Sequence, residues 1–178
     1  DAQFQFAKFF AAIASTGAHA AVVRDLLDGR LELDGLKIDT DLAWELLEGI
    51  VVIGAAGEPE IAAQLAADPS AKGQQAATRL RAAIPTVEAK RAAFASLAES
   101  AELSNELQRS VTLGVGHVND PAVLEPLVEP YFAALEDIWG SRSYKLAEFF
   151  VVGLYPGALA SPELAAATRA WLDAHPGI

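Results

Sequence analysis

What most limits the folds open to this chain is how its apolar pattern is cut: about every 10 to 15 residues a helix start or stop intervenes. Asp39-Thr40-Asp41 precedes Leu42, Trp44, Leu46, Leu47, Ile50 and Val51. A side-chain oxygen of Asp39 or Thr40 can accept from the free first-turn N–H groups, and Asp41 adds negative charge at the positive dipole end. Glu58-Pro59-Glu60 and Ser161-Pro162-Glu163 place proline in a first turn, where the missing N–H costs little, and Asp120-Pro121 adds an acidic cap. Asp28-Gly29, Asp68-Pro69, Pro85 and Tyr155-Pro156-Gly157 read as ends. The link 31–38 is expected to be partly extended, but it has no second strand to pair with.

The spacing predicts a first helix to about residue 14, with Phe4, Phe6, Phe9, Phe10 and Ile13 as a wide aromatic face. A second carries Val22, Val23, Leu26 and Leu27. After the helix opened by Asp39 come one holding Ile61 and Leu65, one over 70–83, and one opened by Thr86 that holds Val87, Phe94 and Leu97. Ser104 caps a helix from Asn105 to Leu113. Pro126 and Pro130 lie in one apolar pattern, and proline removes a donor from the turn it sits in. A short helix to about Leu127 and a second over 129–138 are therefore predicted. Ser141 or Ser143 caps the helix of Leu146, Phe149, Phe150 and Val152, and a last helix carries Leu164, Trp171 and Leu172 before His175-Pro176-Gly177. Short links force such helices to pack as antiparallel pairs. The expected fold is all-α, one domain over residues 1–178, built as a curved superhelical stack of helix pairs of the armadillo or HEAT kind. No repeat of 34 or about 40 residues is visible.

A chain of 178 residues buries roughly 70% of its unfolded surface. Alanine supplies much of the 52% apolar content, which predicts closely spaced helices rather than large interior side chains. The net charge of −11 repels phosphate backbones and anionic lipid, so neither nucleic acid nor membrane is an expected partner. Without cysteine there are no disulfides, thiolate nucleophiles or cysteine zinc sites, and a cytoplasmic location is expected. No apolar run reaches the roughly 18 residues that span a bilayer. The opening DAQFQFAKFF lacks the basic start of a signal peptide and an initiating methionine, and the chain is expected to begin partway through a longer polypeptide.

Reactive groups are sparse. His19, His117 and His175 lie far apart with no acidic partner at helical ligand spacing, so each reads as a surface or turn residue. Ser104, Ser143 and Ser161 stand where caps belong, with no Gly-x-Ser-x-Gly elbow. Gly114 to Gly116 lacks a phosphate-loop lysine and reads as a helix end. The pairs Glu58/Glu60 and Glu45/Glu48 read as first-turn or polar-face carboxylates.

Several pieces in order carry a resemblance: LELDGLKIDTDLAWELLEGIVVIG, GEPEIAAQLAADPSAKGQQAATRLRAAIPTVEAKRAAF, LSNELQRS, EPYFAALEDIWGSRS and VVGLYP. Over nearly its whole length the chain resembles the helical C-terminal domain of bacterial aminopeptidase N, a zinc metallopeptidase; this domain type also occurs in the endoplasmic-reticulum aminopeptidases. The resemblance implies the same helical stack. It also implies a domain that caps the catalytic domain of the same polypeptide, encloses a cavity and shapes access for peptide substrates. Such enzymes need His-Glu-x-x-His, a further glutamate and a Gly-x-Met-Glu-Asn loop, none of which occurs here. Zinc is thus expected in the parent enzyme and no cofactor in this chain, which by itself should not cleave peptides.

Two basic groups stand out in this acidic chain: Lys72, Arg79 and Arg81 along one helix, and Arg142 with Lys145 at the start of another. An arginine fork on an inner wall suits a peptide carboxylate, which makes these five the candidate peptide-binding residues; pairing with neighbouring acids is the competing reading. The family usually has further helices after the counterpart of the last helix, so apolar surface near Trp171 and Leu172 is expected to be open to dimer formation. The alternative function is a free-standing helical-repeat adaptor for proteins or peptides.

Overall fold

In the computed structural model, which describes residues 2–98 and 103–176, short polar side chains close the helix starts that they precede. The carboxylate of Asp39 accepts the Leu42 N–H at 2.8 Å, Ser70 accepts from Gly73 at 3.1 Å, and Ser104 accepts from Leu107 at 3.3 Å. Asp120 and Ser161 do the same for Ala122 at 3.0 Å and Leu164 at 3.2 Å. Glu60 turns back to accept the Gly57 N–H at 2.9 Å. Each bond satisfies a donor that the helix leaves free, worth about 1 kcal/mol.

Ten α-helices result among the described residues, and no strand: α1 (Ala2–Ala12), α2 (Gly17–Leu27), α3 (Thr40–Val52), α4 (Glu58–Ala67), α5 (Ala71–Ala83), α6 (Val87–Ala98), α7 (Asn105–Gly116), α8 (Val128–Ser141), α9 (Tyr144–Gly153) and α10 (Pro162–Ala174). Short 3-10 turns cover Pro121–Leu127 and Gly157–Leu159. The all-α expectation holds, with local departures. The segment before α8 is 3-10 rather than α because Pro126 lies inside it without a donor; Pro130 then falls in the first turn of α8, where none is needed. Ser143 stands at the start of α9 but its side chain makes no capping bond, and Ser141 bonds back to the Asp137 carbonyl at 2.6 Å. The predicted stop after Leu113 comes three residues late, at Gly116. Gly177, in the predicted closing turn, lies outside the described residues.

Alternate helices form the frame. α1 lies against α3, α3 against α5, α5 against α7 and α7 against α9, while α2, α4, α6 and α8 pack behind them. The α5–α7 contact is the most extensive. It requires Gly114, because a Cβ there would strike the Arg79 carbonyl and sit 2.7 Å from the Ala82 Cβ. Two apolar cores flank this seam. The first joins Val23 and Leu26 of α2, Leu42, Leu46 and Ile50 of α3, Ile61 of α4 and Leu80 of α5. The second joins Phe94 of α6, Val111 of α7, Tyr131, Leu135 and Ile138 of α8 and Phe150 of α9. Helix α5 serves both, with Leu80 and Ala83 in one and Ala82 in the other.

The aromatic face of α1 is not its core face. Ala7 and Ala11 are buried, whereas Phe6 is 72% and Phe9 63% exposed. The cause is close approach to α3, where a Cβ on Gly49 would meet the Ala11 carbonyl, so only small residues fit the seam. Phe4 and Phe10 flank the first core and the other rings turn outward.

Lys90 of α6 is 0% exposed and faces no carboxylate among the described residues. Its ammonium donates to the carbonyls of Ala82 at 2.8 Å, Gly114 at 2.9 Å and Val115 at 3.2 Å, with His117 O at 3.5 Å. These are carbonyls at the ends of α5 and α7, where backbone donors run out and each dipole has its negative end, although Gly114 O also accepts the His117 N–H at 3.2 Å. Burial pushes the ammonium down to about 8, and the two helix ends offset part of that cost.

Candidate functional site

The four helices α1, α3, α5 and α7 enclose a cleft of about 480 Å³. Helical periodicity decides which side chains enter it. Phe4 and Lys8 come from α1, Asp41, Trp44, Glu45 and Glu48 from α3, Lys72, Gln75, Ala76 and Arg79 from α5, and Arg109, Ser110 and Leu113 from α7. Each set recurs at three- or four-residue steps, one face of its helix.

Most of the charge is internally matched. Lys8 meets Glu45 at 2.9 Å and Arg79 meets Glu48 at 2.6 Å. Glu48 is only 6% exposed, and its Oε1 also faces His117 Nδ1 at 2.6 Å. Two charge-assisted partners on one oxygen offset the desolvation of that carboxylate. The expectation of a solvated polar-face Glu48 is therefore corrected: the packing of α5 and the end of α7 over α3 covers it. The Trp44 indole is held by Asp68 at 2.9 Å, and hydrogen bonds from Ser70 and Trp44, with Lys72 nearby, keep Asp68 below the usual carboxylate range.

Two cations in the cleft remain outside its ion pairs. Arg109 makes no ion pair or hydrogen bond, and Lys72 no ion pair, among the described residues. Asp41 on the same cleft has no ion pair among them either, and the charge of Lys72 acts on the Asp68 carboxylate, which leaves Arg109 as the cation without an internal anion. Arg109 and Leu113 also border a second hollow of about 260 Å³ toward α9, shared with Lys145, Phe149 and Val152. Lys145 pairs with Glu148 at 2.6 Å and sits 4.8 Å from the Phe149 ring centre.

Of the five predicted contact residues, the structure brings Lys72 and Arg79 into the cleft and Lys145 beside it. Arg81 projects from another face of α5 and grips Glu58 with two nitrogens, 2.7 Å and 2.9 Å at the shortest. That pairing raises Arg81 and lowers Glu58 from their ordinary pKa values. Arg142 bonds the Ala98 carbonyl at 3.0 Å, away from the cleft, and burial lowers its pKa. Sequence reasoning missed Lys8, Glu45, Glu48 and Arg109 as cleft residues. A signal existed in the stripe Asp41, Glu45, Glu48, which shares one face with Trp44; no periodicity could say that α7 lies alongside to supply Arg109.

The histidines stay apart: His19 accepts from Ser15 N–H at 3.2 Å, His117 faces Glu48, and His175 stacks on Trp171 with ring centres 4.2 Å apart. Among the described residues no group of three or more His, Cys, Asp or Glu side chains is placed to hold a metal ion, so these residues do not fit a zinc site. Nor is any described helix long and apolar enough to cross a membrane.

Comparison with known proteins adds two findings. The whole chain, residues 1–178, matches the family described as ERAP1-like C-terminal domain. It is also 38% identical over 172 residues to aminopeptidase N of Streptomyces lividans, an alignment covering 97% of this chain and 20% of that protein. The chain thus spans about a fifth of the length of this curated relative.

Proposed function

The chain belongs to the ERAP1-like C-terminal domain family, as the C-terminal domain of an aminopeptidase N-like protein, and we propose that it serves a zinc aminopeptidase as a lid. In this reading residues 1–178 are one helical domain of a longer polypeptide. The domain closes over the catalytic cavity and restricts which peptides enter, while the zinc and the bond-breaking groups belong to the remainder of the enzyme. The cleft over α1, α3, α5 and α7 is its peptide-facing wall. Arg109 and Lys72 receive a peptide carboxylate, Arg79 borders them, and Lys145 marks the continuation toward α9.

The observation that supports this most is Arg109, which makes no ion pair or hydrogen bond among the described residues in a cleft where Lys8 and Arg79 are neutralised. A guanidinium without an internal partner has its donor fork free for a planar carboxylate. The 38% identity to part of an aminopeptidase favours this reading over a free-standing adaptor.

Fluorescence anisotropy with a labelled nonapeptide, as free acid and as C-terminal amide, tests it. The acid should bind the chain more tightly than the amide, and Arg109→Ala should remove most of the difference, about tenfold for one lost charge-assisted bond. Equal affinity for both peptides, or a difference untouched by Arg109→Ala, refutes the role of the cleft. Stoichiometric zinc retained by the purified chain would overturn the assignment of the metal to the rest of the polypeptide.

A further inference from the structure

Lys90 and the cleft do not touch, yet they are joined by a short run of contacts. The Lys90 ammonium holds the last carbonyls of α7, at Gly114 and Val115, against the end of α5. The next residue to turn out of that helix end is His117, whose own carbonyl lies 3.5 Å from the same ammonium. Its ring reaches Glu48 Oε1 at 2.6 Å, and the same oxygen holds Arg79 at 2.6 Å. The Arg79 Nε is buried and has no acceptor, so Glu48 is what fixes this guanidinium. The side chain of Arg79 nonetheless keeps 37% of its surface open and lines the cleft.

We propose that Lys90 is a positioning residue for the cleft: by pinning the end of α7 it presents His117 to Glu48, and the shared carboxylate sets where Arg79 stands. An ammonium gives three donors, enough for the three carbonyls within 3.2 Å. Remove them and the Val115 carbonyl loses the ammonium while Gly114 keeps the His117 N–H at 3.2 Å, so the end of α7 is held more weakly and frays. His117 then leaves Glu48, which keeps a single partner, and Arg79 gains freedom to turn. What the cleft binds rests on the peptide reading above; the placement of Arg79 does not.

Two measurements on the full chain separate the two. The first follows solvent exchange of the Arg79 Nε–H by nitrogen-edited NMR, assigned with Arg79→Lys. In the unmodified protein this buried proton should exchange slowly; in Lys90→Met and in His117→Leu it should exchange at least about tenfold faster, as expected when burial of a donor is lost. The double variant should be no faster than either single one, since both act through one chain of contacts. Lys90→Arg, which keeps the charge at the helix ends, should recover most of the slow exchange. Should Lys90→Met fail to fold, His117→Leu and Lys90→Arg carry the test. Unchanged Arg79 exchange in a folded His117→Leu or Lys90→Met protein overturns the proposal, as does fully additive acceleration in the double variant.

The second measurement is the acid-to-amide affinity ratio of the labelled nonapeptide. It should fall about threefold to tenfold in Lys90→Met, with recovery in Lys90→Arg. A ratio of one in the unmodified protein refutes the peptide reading while leaving the exchange result to decide on Lys90. A ratio that survives in Lys90→Met although Arg79 exchange has accelerated overturns the proposed influence of Lys90 on selectivity.

Discussion

The two cores on either side of α5 solve one problem in opposite ways. Each contains a buried charged side chain near the seam, Glu48 in the first and Lys90 in the second. Glu48 is met by other side chains, Arg79 and His117, whereas Lys90 is met by backbone carbonyls at two helix ends. The surroundings differ too. The first core is mainly aliphatic at its centre, with Leu42, Leu46, Ile50 and Ile61 fully inaccessible, while Phe6, Phe9 and Ile13 stay exposed outside it. The second is built on rings, Tyr131 stacked on Phe150 at 6.1 Å and Phe94 tilted against Phe150 at 5.5 Å, and its rim leaves Trp139, Tyr144, Val152 and Leu172 exposed. A charge answered by side chains can be rearranged by changing one residue. A charge answered by helix ends can be changed only by moving helices, so the second device fixes geometry and the first can tune chemistry.

The largest expected effect tests the burial at the centre of the first core. Leu46→Ala should cost about 3 to 4 kcal/mol in urea unfolding, against under about 0.5 kcal/mol for Leu172→Ala at the open rim. Comparable losses at the two positions would erase the contrast.

Next comes the pH behaviour of Lys90. Its folded value, about 8, lies below its ordinary 10.5, so the folded state releases the proton first as pH rises. Below pH 8 the unfavourable charged form contributes a constant penalty. Between about 8 and 10.5 the unfolded chain binds more protons, and stability should rise relative to Lys90→Met by about 3 kcal/mol in total. Parallel stability curves for the two proteins across that window would contradict the burial of this ammonium.

A smaller change is expected at Glu48. Glu48→Ala leaves Arg79 and His117 facing each other without their shared anion, and both are about a third exposed, so water recovers part of the loss. The cost should be about 2 kcal/mol at neutral pH, with Glu48→Gln near half of that. Denaturant midpoints at equal slope would show it. The smallest effect belongs to Arg81→Ala, which breaks an exposed pair with Glu58 and should lower stability by under about 1 kcal/mol in low salt, less at 1 M salt.

Much of the fold was legible. Asp39, Ser104, Asp120 and Ser161 each announced a helix with a local bond between residues two or three apart, which needs no tertiary context. Errors came where the neighbours decide. Phe6 and Phe9 looked like core and are surface, because α1 meets α3 through alanine and glycine. Glu48 looked like surface and is buried. In the cleft, Lys72 and Arg79 were readable as one helix face, but Arg81, two residues on, was grouped with them although it points elsewhere, to Glu58. Arg109 carried no local signal at all.

By itself, then, the order of residues determined an all-helical chain, where its helices start, and which apolar stripes must be covered, since capping and periodicity act within one or two turns. It also carried the family likeness over the whole length. Only the packing of α3, α5, α6 and α7 decided that Glu48, Arg79, His117 and Lys90 form one connected set. These groups lie 27 to 69 residues apart wherever two of them interact directly through side chains or turn carbonyls, and nothing short of the helix arrangement, down to the room that Gly114 leaves, brings opposite charges so far separated along the backbone within reach.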